Sequence, residues 1–181
     1  IAHIYCENVL GIVGENFTFP VKVDQKLVDA TWKKNKDKVA EWEGQNEPTY
    51  FGPLLNRGVL MDSGSLTIVN LQKDDAGTYE LQYRDYVKDH YLNFVLGVLD
   101  PLPEPKISCN TSDHELVLNC TANFQGPLNY TWKLGNNTQS NQKQELLIPL
   151  EDVDTTANAT CTIKFSQTRR SSEISLIQCL P

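Results

Sequence analysis

The sequence predicts an all-β protein made of two tandem antiparallel sandwiches. Three observations carry this prediction. Apolar residues recur with period two along several runs, and no sustained 3.6-residue stripe competes with them. The runs come roughly every 8–12 residues and are separated by tight-turn chemistry. Residues 100–105 read Asp-Pro-Leu-Pro-Glu-Pro, and prolines at alternate positions forbid a helix and remove backbone donors. That stretch reads as a short stiff linker at 101–105. It leaves domains at 1–100 and 106–181, each the size of a small β-sandwich.

The elements of the first domain follow in order. Asn16 to Val23 alternates, with Phe17, Phe19, Val21 and Val23 on one side. Asp29 to Lys33 turns Ala30 and Trp32 inward, which leaves Thr31 and Lys33 outside. Asn35-Lys36-Asp37-Lys38 reads as a turn. Beyond it, Trp42 faces in while Glu41 and Glu43 face out. The turn Asp62-Ser63-Gly64-Ser65 opens a strand at Ser65–Val69. Thr78–Tyr83 and His90–Val98 complete the set.

Composition bounds the function. The chain has 181 residues, 40% hydrophobic and 22% charged, a globular balance and not a disordered one. A net charge of −7 argues against nucleic-acid binding, which needs a positive field. No apolar run approaches the roughly 18–20 residues that span a bilayer, and no basic-then-apolar leader opens the chain. Membrane attachment would therefore require an anchor outside this stretch. Residues 1–100 hold ten basic and fifteen acidic residues, so most of the acidity lies in the first domain.

The five cysteines place the compartment. None forms C-x-x-C, and no histidine stands at zinc-ligand spacing. A disulfide framework is left, which needs an oxidising environment. Asn-x-Ser/Thr acceptors at Asn16, Asn110, Asn119, Asn129, Asn136 and Asn158 agree. Both point to a secreted or cell-surface glycoprotein. Cys109, Cys120, Cys161 and Cys179 lie in the second domain, and four cysteines allow three pairings.

Several motifs then carry a resemblance. Gly14-Glu15-Asn16-Phe17-Thr18-Phe19 resembles strand B of an immunoglobulin variable-type domain, and Trp32 stands where its core tryptophan belongs. Asp75-Ala76-Gly77-Thr78-Tyr79 resembles the tyrosine corner, with Arg57 as ion-pair partner of Asp75. The usual disulfide is missing: by spacing, Val21 and Leu81 hold the cysteine positions. The resemblance therefore implies sheets held by apolar packing on Trp32 alone. In the second domain Cys120, Trp132 and Cys161 follow the immunoglobulin Cys…Trp…Cys order, though Ala159 stands where the corner tyrosine is expected. This implies a short constant-type sandwich with Cys120–Cys161 and Cys109–Cys179 bonded.

The order of a disulfide-free variable-type domain and a doubly crosslinked constant-type domain resembles the rosette-receptor group, the signalling lymphocyte activation family of adhesion molecules. Trp32-Lys33-Lys34-Asn35-Lys36-Asp37-Lys38-Val39-Ala40-Glu41 is the strongest local likeness. Asp62-Ser63-Gly64-Ser65-Leu66-Thr67-Ile68 and the ending Cys179-Leu180-Pro181 add to it. Glu41-Trp42-Glu43 and Val98-Leu99-Asp100-Pro101 are similar to the lipid-anchored sister ligand of that family. In the family, the sheet of strands C, C′, F and G in the first domain meets the same sheet of a receptor on another cell. The resemblance implies partner contact at Asp29, Lys33, Lys34, Lys36, Asp37, Lys38, Glu41, Glu43 and Phe51. Asp85, Lys88 and Asp89 are candidates in the loop before the last strand. The partner implied is the first immunoglobulin domain of the rosette receptor of T cells and natural killer cells. The function implied is cell–cell adhesion with T-cell costimulation, the second domain acting as a glycosylated spacer. A soluble viral or shed mimic that blocks the receptor is the alternative, and an anchor beyond Pro181 would separate the two.

Other chemistry has less support. No G-x-S-x-G is present, and His3, His90 and His114 stand outside any catalytic motif. Asp74 and Asp75 are adjacent and point apart on a strand. No enzyme activity, metal or cofactor is expected. Lys33-Lys34-Asn35-Lys36 is followed by acids, and Arg169-Arg170 falls in a hairpin turn. Cys6 remains, upstream of the first strand, either as a buried or capped thiol or as a link to a second chain.

Overall fold

The computed structural model describes residues 6–23 and 25–181. The chain divides into two compact units, Ile1–Pro101 and Leu102–Pro181. Among the described residues the regular structure is strand with short 3₁₀ turns.

The first unit contains β1 (Cys6–Ile12), β2 (Phe17–Thr18), β3 (Asp29–Lys34), β4 (Asp37–Trp42), β5 (Thr49–Tyr50), β6 (Gly58–Leu60), β7 (Leu66–Ile68), β8 (Gly77–Arg84) and β9 (Asp89–Leu99). They form a six-stranded sheet in the order β1-β9-β8-β3-β4-β5, facing a three-stranded sheet β2-β7-β6. β1 runs parallel to β9, and the other ladders are antiparallel. Cys6 opens β1, paired with Asn93, so it is part of the first strand and not upstream of it.

The core follows from alternation on β8 and β9. Tyr79, Leu81 and Tyr83 point inward on β8, and Phe94 and Leu96 on β9. Trp32 is fully buried, and its indole Nε1–H donates to the Gly64 carbonyl at 2.9 Å. Gly64 sits at φ +89°, and a Cβ there would meet Leu27 at 3.0 Å. The turn before β7 therefore needs glycine on both conformational and steric grounds.

One expectation is corrected. Trp32 does not hold the sheets alone. Pro20 supplies no ladder donor, so β2 ends at Thr18 and Val21 is only half-buried. Val21 still packs beside Leu81, and Phe19, on the same side two residues earlier, adds to that packing. The Phe19 ring lies 4.8 Å from Trp32, 4.8 Å from Tyr79 and 5.3 Å from Phe94. Phe17 lies 5.1 Å from Phe19 as well, so five rings gather where the crosslink is missing, and each contact to Phe19 falls within the favourable range for aromatic pairs.

The tyrosine corner forms as expected. The Tyr79 hydroxyl donates to the Asp75 carbonyl at 2.5 Å, and burial pushes the phenol up, with the Asp75 charge adding to it. Arg57 grips Asp75 through Nη1 at 3.1 Å and Nη2 at 2.5 Å. The same carboxylate accepts the Gln72 amide at 2.7 Å. Asp74 and Asp75 sit in a 3₁₀ turn (Lys73–Asp75) and not on a strand.

The second unit contains β10 (Lys106–Thr111), β11 (Glu115–Thr121), β12 (Asn129–Leu134), β13 (Asn137–Thr138), β14 (Glu145–Pro149), β15 (Asn158–Phe165) and β16 (Thr168–Ser175). Its sheets are β10-β11-β14 and β13-β12-β15-β16. Cys120–Cys161 crosses between them beside the buried Trp132, and Cys109–Cys179 ties β10 to the final turn. Arg169 and Arg170 lie in β16, just past the hairpin turn. From Leu102 onward the proline-rich stretch falls within this unit: Arg170 donates to the Leu102 carbonyl at 3.3 Å, and Ser172 donates to the Pro105 carbonyl at 2.5 Å.

Candidate adhesion face

Register aligns outward side chains of the six-stranded sheet into rows, because paired residues share a side. One row is Glu41–Thr31–Gln82–Tyr91. The next is Lys38–Lys33–Glu80–Asn93–Cys6. A third is Asp29–Arg84–Asp89, with Arg84 and Asp29 paired at 2.9 Å. The expected residues Asp29, Lys33, Lys38, Glu41 and Asp89 are thus brought onto one surface of mixed sign.

Local chemistry sets their positions. Asn35 and Lys36 both take positive φ, 47° and 77°, so the β3–β4 hairpin closes in two residues and exposes Lys36 and Asp37 at its tip. The ladder shifts between Trp32 and Lys33, and Val39 and Ala40 are both buried. The Lys38 ammonium bonds Glu41 at 3.2 Å and stands 5.8 Å from the Phe51 ring centroid. Phe51 is therefore the neighbour of Lys38, held by its amide on the Val39 carbonyl at 3.0 Å. Glu43 is exposed just beyond β4.

Two expected contacts lie elsewhere. Lys34 shares the inward side of Trp32, so its chain runs to the bottom of the sandwich, where Nζ donates to the Asp74 carbonyl at 2.5 Å. Asp85 is only 8% exposed. Its Oδ1 accepts the Val87 and Lys88 amides at 2.8 and 2.9 Å, and its Oδ2 meets His90 Nε2 at 2.8 Å. Those amide bonds, with a smaller part from His90, hold the carboxyl down at about 2. Asp85 shapes the β8–β9 loop from within, while Lys88 stays exposed. His90 in turn stacks on Tyr83 at 4.6 Å.

Sequence reasoning missed Glu80 and Tyr91, although period-two alternation along Thr78–Tyr83 and His90–Val98 reaches both. It also missed Cys6, which is free and exposed, not buried. The thiol lines a shallow depression with Lys33, Asn35, Lys36, Thr78, Glu80 and Asn93.

The acceptor asparagines divide by face. Asn16 is exposed beside β2 on the opposite sheet, its Oδ1 accepting the Asn70 amide at 3.0 Å. In the second unit Asn110 and Asn119 lie on the outer side of β10-β11-β14, in register with Val117 and Ser108. Asn129 and Asn158 lie on the outer side of the other sheet, and Asn136 in the β12–β13 turn. Each outer face of the second unit carries acceptors, and the candidate adhesion face carries none.

No family-level sequence model matches the chain. Human lymphocyte function-associated antigen 3 is 30% identical over 184 residues, spanning 98% of this chain and 72% of that protein. The crystal structure of the CD2-binding domain of CD58, which is the same antigen, matches with a TM-score of 0.56 at 26% identity, covering 94% of this chain and 97% of that one. Murine CEACAM1b matches with a TM-score of 0.51 at 16% identity, covering 92% and 94%, a likeness of fold alone. The chain belongs to the lymphocyte function-associated antigen 3 family of immunoglobulin-type cell-adhesion proteins.

Proposed function

We propose that this chain is the extracellular part of a cell-surface adhesion ligand. The outer face of β3, β4, β8 and β9 binds the first immunoglobulin domain of a CD2-type rosette receptor on an opposing T cell or natural killer cell. Adhesion of this kind supports T-cell costimulation. The first unit acts as a variable-type binding domain, and the second as a constant-type glycosylated spacer.

The observation that carries the reading is the glycan-free, mixed-charge face in a chain related to a CD2-binding protein. Charged pairs across such a face select orientation and partner more than they add affinity, because desolvation cancels much of the Coulomb gain. Contacts should be weak singly, quick to release and cumulative between two membranes. Cys6 bears on stoichiometry. It stands in the same outward row as Lys33 and Glu80, so a disulfide to a second chain would seat that chain on the adhesion face. The reading therefore favours a free Cys6 and a single chain per receptor.

Lys33→Glu and Glu41→Lys test the face. Both side chains lie on the sheet surface, so thermal unfolding should be unchanged. Surface plasmon resonance against the recombinant first domain of human CD2 should show binding lost in both variants. Wild-type affinity should fall as salt rises from about 0.1 M to about 0.5 M. Unchanged affinity in both variants would refute the assignment.

A further inference from the structure

The charged face carries one apolar feature that its charges do not explain. At the β8–β9 turn Tyr86 and Val87 are each 76% exposed, and Tyr91 beside them on β9 is 65% exposed. Large apolar side chains projecting into water mark contact sites when they are grouped and held in place.

These are held. The Asp85 carboxylate accepts the Val87 and Lys88 amides, and the Asp85 amide donates to the Lys88 carbonyl at 3.2 Å. His90 bonds the other carboxylate oxygen and stacks on Tyr83. The turn is thus pinned from below by buried groups while its two apolar side chains point away. Tyr91 joins the tip to the sheet, since it stands in the row Glu41–Thr31–Gln82–Tyr91, and Gln82 Nε2 reaches its hydroxyl at 3.5 Å.

We infer that Tyr86, Val87 and Tyr91 form the apolar anchor of the interface, and that they dock on an apolar depression beside the charged face of the same receptor domain. This rests on the adhesion reading above and goes further, because it assigns affinity and specificity to different residues. Ion pairs across an interface come close to cancelling against their desolvation. Net affinity must then come mainly from apolar area removed from water. On this face that area is concentrated at the tip. A pinned loop also loses little freedom on binding, and an aromatic side chain has few rotors to freeze.

The experiment compares Tyr86→Ser/Val87→Ser, Tyr91→Ser and Lys33→Glu, each in the whole chain, against the first domain of human CD2 at low and high salt. The exposed positions leave folding intact, which the NMR shifts of the backbone amides at positions 87 and 88 verify. The tip variant should lose about tenfold or more in affinity. The loss should be equal at both salt concentrations, and the salt slope should stay that of the wild type. Tyr91→Ser should lose less, in the same salt-independent way. If the tip variant binds as tightly as wild type while Lys33→Glu abolishes binding, the anchor is wrong and the adhesion face stands. If the tip effect vanishes at high salt, the residues act through charge and the anchor is equally refuted. Wild-type affinity in the tip variant and in Lys33→Glu alike would overturn both.

Discussion

Replacing Phe19 with alanine should remove most of the stability margin of the first unit. Its ring is fully buried and touches four other rings at 4.8, 4.8, 5.1 and 5.3 Å. Phenylalanine-to-alanine changes in cores cost about 3–5 kcal/mol. A site lined by four rigid rings collapses poorly, which favours the upper half of that range, about 4 kcal/mol. A domain of this size holds only about 5–15 kcal/mol in total. With about 4–8 °C lost per kcal/mol, the midpoint should fall by roughly 15–30 °C. Calorimetry of the whole chain should resolve two transitions. A reducing agent identifies the second unit, because only that one carries disulfides. Val21→Ala is the control, since Val21 is half-buried beyond Pro20, and should cost about 1 kcal/mol. Equal shifts from the two variants would refute the claim that the ring cluster around Phe19 carries most of the packing in the domain without a crosslink.

Two further outcomes follow from the buried charges. Arg57→Ala strands the Asp75 carboxylate, which is 1% exposed, and also releases the Pro53 and Asn70 carbonyls. Urea denaturation should show a loss of about 3–5 kcal/mol in the first unit. Arg57→Lys should recover only part of it, because an ammonium cannot hold both carboxylate oxygens as a planar fork does. For Asp85 the carboxyl is lowered from 3.8 to about 2. A depressed acid stabilises the folded loop above its unfolded value, and that contribution drains away as pH falls through the folded one. NMR shifts of the Val87 and Lys88 amides should therefore be constant down to about pH 3 and move as pH falls through about 2. Asp85→Asn should remove that transition, and a midpoint at the ordinary carboxylate value of about 4 or above would contradict the geometry.

What could be read from the residues depended on how local the rule was. Trp32, Tyr79, Asp75 and Arg57 were legible because the tyrosine corner is a short motif whose bonds are largely internal to it. The outward set on β3, β4 and β8 was legible from period two. The failures came where that period is interrupted or a side chain bonds backbone. Pro20 ends β2 after Thr18, and the ring of Phe19 against Trp32 went unread. Lys34 looks like Lys33 in composition but lies on the opposite side of the strand. Asp85 resembles any loop acid, and nothing in its neighbours announces that it caps two amides. Tyr86 and Val87 were passed over for the same reason: which loop side chains face out depends on which one is turned in.

The uneven placement of crosslinks also bears on how the chain is made. During synthesis the amino-terminal unit emerges first, and its fold uses no disulfide. It can reach its native state before any oxidase acts. The carboxy-terminal unit must then pair four thiols correctly while Cys6 stands exposed in the finished unit ahead of it. That thiol is a standing competitor for mixed disulfides during secretion. Yield in oxidative refolding should be set by the second unit and improved by Cys6→Ser, with the first unit attainable in a reducing cytoplasm.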